Sequence, residues 1–392
     1  MTKLSFPLVL ALSLFELSPV TGSITPSGAQ SPAPAAHRIL QVGPGKPYAL
    51  PSQAAAAAID GDIIEISPAL YARDAAVWRA NGLTLRGVGG RPHLKADGAS
   101  AQGKAIWVIQ GDNVTIDNIE FSGARVPDQN GAAIRAEGEK LIIRYCYIHD
   151  NEMGILSGRS NAEILIESSE FSGSYGDYNH NIYMGNIRKF TLQFSYIHHA
   201  SHGHNVKTRA GTNFILYNRI MDEKSGSSSY AIDIPNGGRS YLIGNVIQKG
   251  PNAENSSVIA YAAEGATNEW QELYLVNNTV VSDFGRGLFL NMHVTPTQLL
   301  VTNNIFAGAG VALNTTTGTH HNLVGRDPMF QSRATYDYRL LPGSPAIDAG
   351  SDPGVAAGFN LNPQFRYVHP LGHEIRKIVG APDLGAFEYP TN

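Results

Sequence analysis

Cysteine is almost missing from this 392-residue chain, with Cys146 standing alone. One thiol excludes an internal disulfide framework and any multi-cysteine zinc site. Its surroundings, IIRYCYI, alternate apolar and polar residues, so Cys146 is expected to be an inert core group rather than a nucleophile. Charge is sparse too. Charged residues make up 16% of the chain and nearly cancel, leaving a net charge of -4. No basic stripe stands out, so no nucleic-acid partner is expected. After the first residues no apolar run is long enough to span a bilayer, so no membrane span is expected. What the chain does have is glycine, 41 residues of it, between many short segments of alternating polarity.

The chain opens on MTKLSFPLVLALSLF, one early lysine and then a short apolar run closed by Glu16. Small residues follow at Thr21, Gly22 and Ser23. Residues 1–23 therefore read as a secretory signal peptide, and residues 24–37, rich in Pro, Ser and Ala, as a linker. Residues 38–392 remain as one domain. The expected location is outside the cytoplasm, either secreted or periplasmic, and a monomer is expected. Within the domain, RILQV and GDIIEI have strand patterns and flank PSQAAAAAI, a short helix suited to capping the open end of a stacked core.

From Asn113 to Ala307 the chain repeats. The segments VTIDNIEF, LIIRYCYI, ILIESSEF, FTLQFSYI, FILYNRIM, YLIGNVIQ, YLVNNTVV and LVTNNIFA align, with Asn118, Tyr145, Ser168, Phe194, Asn218, Asn245, Asn278 and Asn304 at their fifth positions. Subtracting successive positions gives spacings of 27, 23, 26, 24, 27, 33 and 26. Short strands at such a period signal a solenoid rather than a sandwich. Asn218, Asn245, Asn278 and Asn304 fall in successive coils, where stacked amides bond up and down a ladder, which makes them structural.

These strands, the N-terminal cap and the Asn-bearing turns resemble right-handed parallel β-helix proteins of the pectate-lyase-like superfamily. The closing stretch DPMFQSRATYDYRLLPGSPAIDAG, followed by DLGAFEY, is similar to the C-terminal end of many exported β-helix proteins. The resemblance implies an all-β fold, a right-handed parallel β-helix with a short N-terminal capping helix, acting on a carbohydrate. One fold hosts many reactions, so the chemistry has to come from the residues.

Three segments draw attention: HNIYMG from His180, HNVKTR from His204 and YAIDIP from Tyr230. Aligning Ile155, Ile182, Val206 and Ile232 as inward residues stacks them in register. Strand alternation then turns Asn181, Tyr183, Asn205, Lys207, Arg209 and Asp233 outward. Tyr183, Lys207 and Asp233 become one ladder about 10 Å long, since coils lie about 4.8 Å apart. By the same register His180 and His204 point inward, with Tyr230 in their column. His198, His199 and His202 crowd the approach, and the loops Asp222 to Ser229 and Gly173 to His180 would wall a groove. Lys207, Arg209, Tyr183, Asp233 and His202 are the candidate catalytic residues. Asn181, Asn205, His180, His204 and Asn236 are the candidate substrate contacts. A simple Lys207–Asp233 surface pair is the bland alternative.

The first chemical reading is β-elimination on an acidic, uronate-containing polysaccharide. It needs a base, a cation beside the developing enolate and a proton donor for the leaving oxygen. Lys207 and Arg209 supply the first two, and Tyr183 or His202 the third. HNVKTRAGTNFILYNRI also resembles the Val-Lys-Ser strand of alginate lyase and chondroitinase B relatives, which implies Lys207 as the base. The chain departs from those relatives in two places. His202, Gly203 and His204 stand where they carry calcium-binding acids, and no Arg occurs near Asp233 to Pro235. Epimerisation at the same carbon would use nearly the same groups. A glycoside hydrolase would instead pair Asp233 with Asp177, Asp222 or Glu264. A non-catalytic glycan-binding β-helix is the third reading. Calcium through Asp177, Glu152 and Asp150, or zinc through His180, His202 and His204, are the candidate metals.

Overall fold

The computed structural model describes residues 37–314, 318–325 and 327–390. The expected signal segment and, His37 apart, the linker lie outside the described residues. Each coil contributes one strand to each of three parallel sheets, of 12, 10 and 11 strands. One coil runs through Ile182–Met184, Lys189–Gln193 and Tyr196–His198 before the chain re-enters the 10-stranded sheet at Val206–Thr208. We call the 10-stranded sheet the site sheet, the 12-stranded one the first sheet and the 11-stranded one the third sheet.

The core is the column of inward side chains. Ile155, Ile182, Val206 and Ile232 pair in successive strands of the site sheet, as the alternation requires, and Ile259 continues them. Nearer the N-terminus the column holds larger rings, with Trp107 meeting Trp78 and Phe121 edge-on at centroid distances of 5.1 and 5.0 Å. The helix Pro51–Ala57 packs against the strands Ile39–Val42 and Ala76–Trp78 and buries Ala54 in that core. Gln53 Oε1 accepts from the Ala49 and Leu50 amides and so fixes its entry.

The corner between the first and third sheets explains the repeat. Asn118, Tyr145, Ser168, Phe194, Tyr217, Asn277 and Asn303 all take the left-handed conformation there, and Gly244 does so as well. The next residue turns inward: Cys146, Ser169, Ser195, Asn218, Asn245, Asn278 and Asn304. The fifth-position alignment thus slips by one between Phe194 and Asn218, since Lys189–Gln193 pairs with Thr212–Leu216 and Phe194 corresponds to Tyr217. The slip arises because Asn suits both the left-handed site and the ladder site. The ladder itself forms as expected: the Asn218 amide donates to Asn245 Oδ1 at 3.0 Å, Asn245 to Asn278 at 2.9 Å and Asn278 to Asn304 at 2.8 Å. Serines continue it toward the N-terminus, through Ser195 and Ser169 to the Cys146 amide. Cys146 is buried, and burial pushes its thiol up to about 12.

The C-terminal segment folds back over the coils as antiparallel hairpins, Phe330–Ser332 with Asp337–Leu340 and Phe365–Val368 with Gly372–Ile375. His373 stacks on Phe194 at 3.8 Å, and Phe359 lies against Tyr241 at 4.9 Å. Within DLGAFEY, Glu388 pairs with the buried Arg376 at 2.6 Å. No helix among the described residues is long and apolar enough to cross a membrane.

Candidate functional site

On the site sheet, Tyr183, Lys207 and Asp233 pair directly in consecutive strands, with Leu156 before them and Ala260 after. The outward column expected from the sequence is therefore present. It is not solvated, however: Lys207 and Asp233 are buried. The cover comes from the loop after Ile259–Tyr261, which is tied down by the Glu264 amide on Pro235 O and the Asn268 amide on Asn236 O. Glu264 reaches back over the column, 2.8 Å from Lys207 Nζ and 2.5 Å from Arg209 Nη2. Lys207 Nζ is also 3.4 Å from Asp233 Oδ2. Arg209 Nε donates to the Tyr183 hydroxyl at 3.0 Å, and Nη1 donates to Asn236 Oδ1 at 2.5 Å. One ammonium and one guanidinium thus converge on a carboxylate, with a phenol alongside.

The histidines are placed differently from the sequence expectation. His180 and His204 do not point into the core; they stack on each other at 4.8 Å beside the outward column. His180 meets the Tyr183 ring edge-on, and His204 Nε2 lies 3.3 Å from Asp233 Oδ2. Asn181 and Asn205, expected outward, are fully buried. Asn181 Nδ2 donates to Asn205 Oδ1, and Asn205 Nδ2 donates to Asp222 Oδ1, so these two are corner struts rather than substrate contacts. The cause is local. The strands begin at Ile182 and Val206, and a bend before each breaks the two-residue alternation. Gly203 permits the stacking, because a Cβ there would lie 1.5 Å from Asn179 O and 2.9 Å from His180 Nδ1.

Backbone amides fix the tautomers. Tyr230 N–H donates to His204 Nδ1, and His204 N–H donates to His180 Nδ1. Each neutral ring must then carry its proton on Nε2. Burial, with neighbouring positive charge, pushes His204 down to about 2 and His180 to about 3. With His204 held neutral, its contact with Asp233 is not an ion pair. Burial outweighs the pull of Lys207 and pushes Asp233 up to about 6. Its Oδ1 is buried without a partner.

A pH signature follows. Both histidines sit below their unfolded value of 6.5, so the unfolded chain takes up protons that the folded chain refuses. Their contribution is fully present above pH 6.5 and is lost as pH falls. Asp233, raised above 3.8, opposes this by weakening the fold as pH rises from about 4 to about 6. Two histidines outweigh one aspartate. The Tm should drop between pH 7 and 5, and a His180→Gln/His204→Gln variant should show a flatter profile by circular dichroism. Equal slopes in the two proteins would contradict buried, neutral histidines.

The other candidates separate from this cluster. His202 is exposed, with its nearest charged partner Glu254 at 3.9 Å. His198 lies on the third sheet against Glu170, so neither it nor the adjacent His199 approaches Lys207. Zinc on His180, His202 and His204 has no support, since two Nδ1 atoms already accept amide protons. For calcium, Glu152 Oε2 is taken by the Val126 and Gly131 amides, and Asp150 is bonded to His149. Of the acids suggested for hydrolysis, Asp222 is a buried strut and Glu264 is in the site.

Residues 81–247 match a family model described as a right-handed beta helix region. Among solved structures, the chain is similar to pectate lyase Pel9A, with 14% identity, a TM-score of 0.60, and coverage of 90% of this chain and 96% of that one. Weaker overlaps, which carry no argument, are with a PL6 family alginate lyase (13% identity, TM-score 0.32, 71% of this chain and 50% of that one) and a pectin methylesterase from Aspergillus niger (12% identity, TM-score 0.29, 78% and 94%). No curated protein sequence matches. The stacked coils, the sequence match over residues 81–247 and the likeness in fold give the chain a right-handed parallel β-helix fold, the fold it shares with pectate lyase Pel9A.

Proposed function

We propose that the protein is an exported polysaccharide lyase that cleaves a uronate-containing glycan by β-elimination. The observation that carries this reading is the grip of Lys207 and Arg209 on one carboxylate, that of Glu264. A uronate carboxylate entering in its place would lie beside the guanidinium, with the ammonium nitrogen close to the adjacent C–H. In the reaction Lys207, as the free amine, takes the C5 proton. The C5–H electrons form the C4–C5 double bond, the C4–O bond breaks, and the leaving oxygen gains a proton. Arg209 stabilises the charge that builds on the carboxylate. Tyr183 is the proton donor in this scheme. Its hydroxyl oxygen accepts from Arg209 Nε, which leaves its own proton available. Asn236 holds the Arg209 guanidinium, and the buried Asp233, 3.4 Å away, positions Lys207 Nζ. The pectate lyase among its structural neighbours supports a carbohydrate substrate.

Hydrolysis is the second reading, favoured by one feature: two carboxylates of different environment at a single ammonium. Asp233 is raised to about 6, whereas Lys207 and Arg209 hold Glu264 below the usual range despite its partial burial. Acid–base pairs are built from such differences.

Incubation of the purified protein with pectate, alginate and glycosaminoglycan panels separates the two. A lyase raises ultraviolet absorbance as unsaturated uronate forms, and the signal should persist in Asp233→Asn. Reducing ends without absorbance, lost in Asp233→Asn, would replace elimination by hydrolysis. Binding with no cleavage on any polymer would leave a glycan-binding protein.

A further inference from the structure

We propose that His93, Glu120 and His149 form a binding site for a divalent transition metal, zinc-like in its preferences, on the outer face of the third sheet. These residues come from three consecutive strands, His93–Lys95, Glu120–Ser122 and Tyr147–His149. His149 Nε2 lies 3.2 Å from Glu120 Oε1, and His93 Nδ1 lies 3.4 Å from the same oxygen. All three donor atoms fall within 4.8 Å of one another. Donors about 2.0–2.1 Å from a tetrahedral zinc are separated by about 3.3 Å, so the trio needs only small side-chain adjustment to share one ion. Two imidazoles and a carboxylate are also a known zinc donor set, with a fourth position left for water. All three side chains are partly exposed, so an ion has access.

The outer contacts match this role. His149 Nδ1 is 2.7 Å from Asp150 Oδ2, and His93 Nε2 is 2.7 Å from Ser122 Oγ. Ligating imidazoles are oriented in this way, by an oxygen partner on the nitrogen away from the metal. A neutral imidazole has one N–H, yet both nitrogens of His149 face carboxylates. A metal ion on Nε2 would be shared with Glu120 Oε1, while Asp150 holds the opposite nitrogen.

The solenoid supplies its own control. Two coils further on, His198 Nε2 lies 3.2 Å from Glu170 Oε1, and His198 stacks on Tyr196 as His149 stacks on Tyr147. There the strand pairing puts Tyr147, a phenol, in the column position that His93 holds for the first pair. His198 Nδ1 also faces His199 in place of a carboxylate. The second pair therefore lacks the third ligand and the anionic outer partner. Bound metal would tie three coils together, so its effect should appear in stability as well as in binding.

The test uses the full chain, stripped with chelator, loaded with Zn2+ and desalted. One Zn2+ per chain by elemental analysis is expected, together with a raised Tm that chelator reverses. Co2+ should give the intense visible bands of a four-coordinate site. His93→Ala and Glu120→Gln should abolish retention, Asp150→Asn should weaken it about 10- to 100-fold, and His198→Ala should leave it unchanged. Glu120→Gln is nearly isosteric, so it reports on ligation even where an alanine variant fails to fold. No retention by the wild type, as for an imidazolium held between two carboxylates, overturns the proposal. So does retention that survives both His93→Ala and Glu120→Gln.

Discussion

Replacing Lys207 with alanine is expected to lower kcat by about 10²- to 10⁴-fold, the usual contribution of a positioned base. The measurement is the initial rate of unsaturated product formation on whichever uronate polymer the wild type cleaves. KM should change far less, because Arg209 still meets the substrate carboxylate. The size of the effect reflects the lack of a substitute. His204 Nε2 faces Asp233, and His180 Nδ1 accepts a backbone amide. His202 stands in solvent near Glu254. A Lys207→Ala enzyme within twofold of wild type would remove Lys207 as the base. Since Lys207 also lies between Asp233 and Glu264, its loss leaves a buried carboxylate without its cation. The melting curve of the variant therefore has to be compared with the wild type before the rate is interpreted.

Asn278→Ala should cause the largest loss of stability of any single change considered for this protein. Asn278 Oδ1 accepts both the Asn245 amide and Asn245 Nδ2, at 2.9 Å each. Its own Nδ2 donates to Leu242 O, Val276 O and Asn304 Oδ1. Alanine leaves donors and acceptors without partners in a corner closed to water. At about 1–3 kcal/mol for each unsatisfied buried group, the expected cost is about 3 kcal/mol or more. Asn278→Asp keeps the acceptor and loses the donors, so it should fall between alanine and wild type, less any penalty for its charge. Urea titration measures the difference as a shift in midpoint. A midpoint shift worth less than about 1 kcal/mol for alanine would mean that water replaces the ladder bonds.

The pectate-lyase-like frame and the lysine column were legible for the same reason. A parallel solenoid repeats one strand pattern at nearly constant spacing, and within a strand the side chains alternate strictly. Aligning Ile155, Ile182, Val206 and Ile232 was therefore enough to stack Tyr183, Lys207 and Asp233. Alternation breaks down where the strands stop. His180, Asn181, His204 and Asn205 precede the first strand residue, where the chain bends, so alternation assigned each of them to the wrong side. A signal was present: Asn151, Asn181 and Asn205 recur shortly before successive site-sheet strands, as the ladder asparagines do at the other corner. Asn151 and Asn181 donate to the His149 and His198 carbonyls, and Asn205 donates to the Asp222 carboxylate.

Glu264 illustrates a second limit. It was visible as a loop acid able to partner Asp233, but nothing in its position along the chain tied it to Lys207 and Arg209, 57 and 55 residues earlier. The His93–Glu120–His149 trio was hidden for a related reason, since the third-sheet strands are only three residues long there and the aligned repeat begins at Asn113, after His93.

By itself the sequence determined the solenoid, its capping helix, the asparagine ladder and the outward column of Tyr183, Lys207 and Asp233. These depend on period and alternation, which are local and repeat. The tertiary structure decided that the column is covered rather than solvated, that two stacked neutral histidines brace it, and that Glu264 lies across both cations. Those features depend on where a loop from the next coil lands and on which way the chain bends before a strand. Both are set by packing between coils, which no single coil's sequence contains.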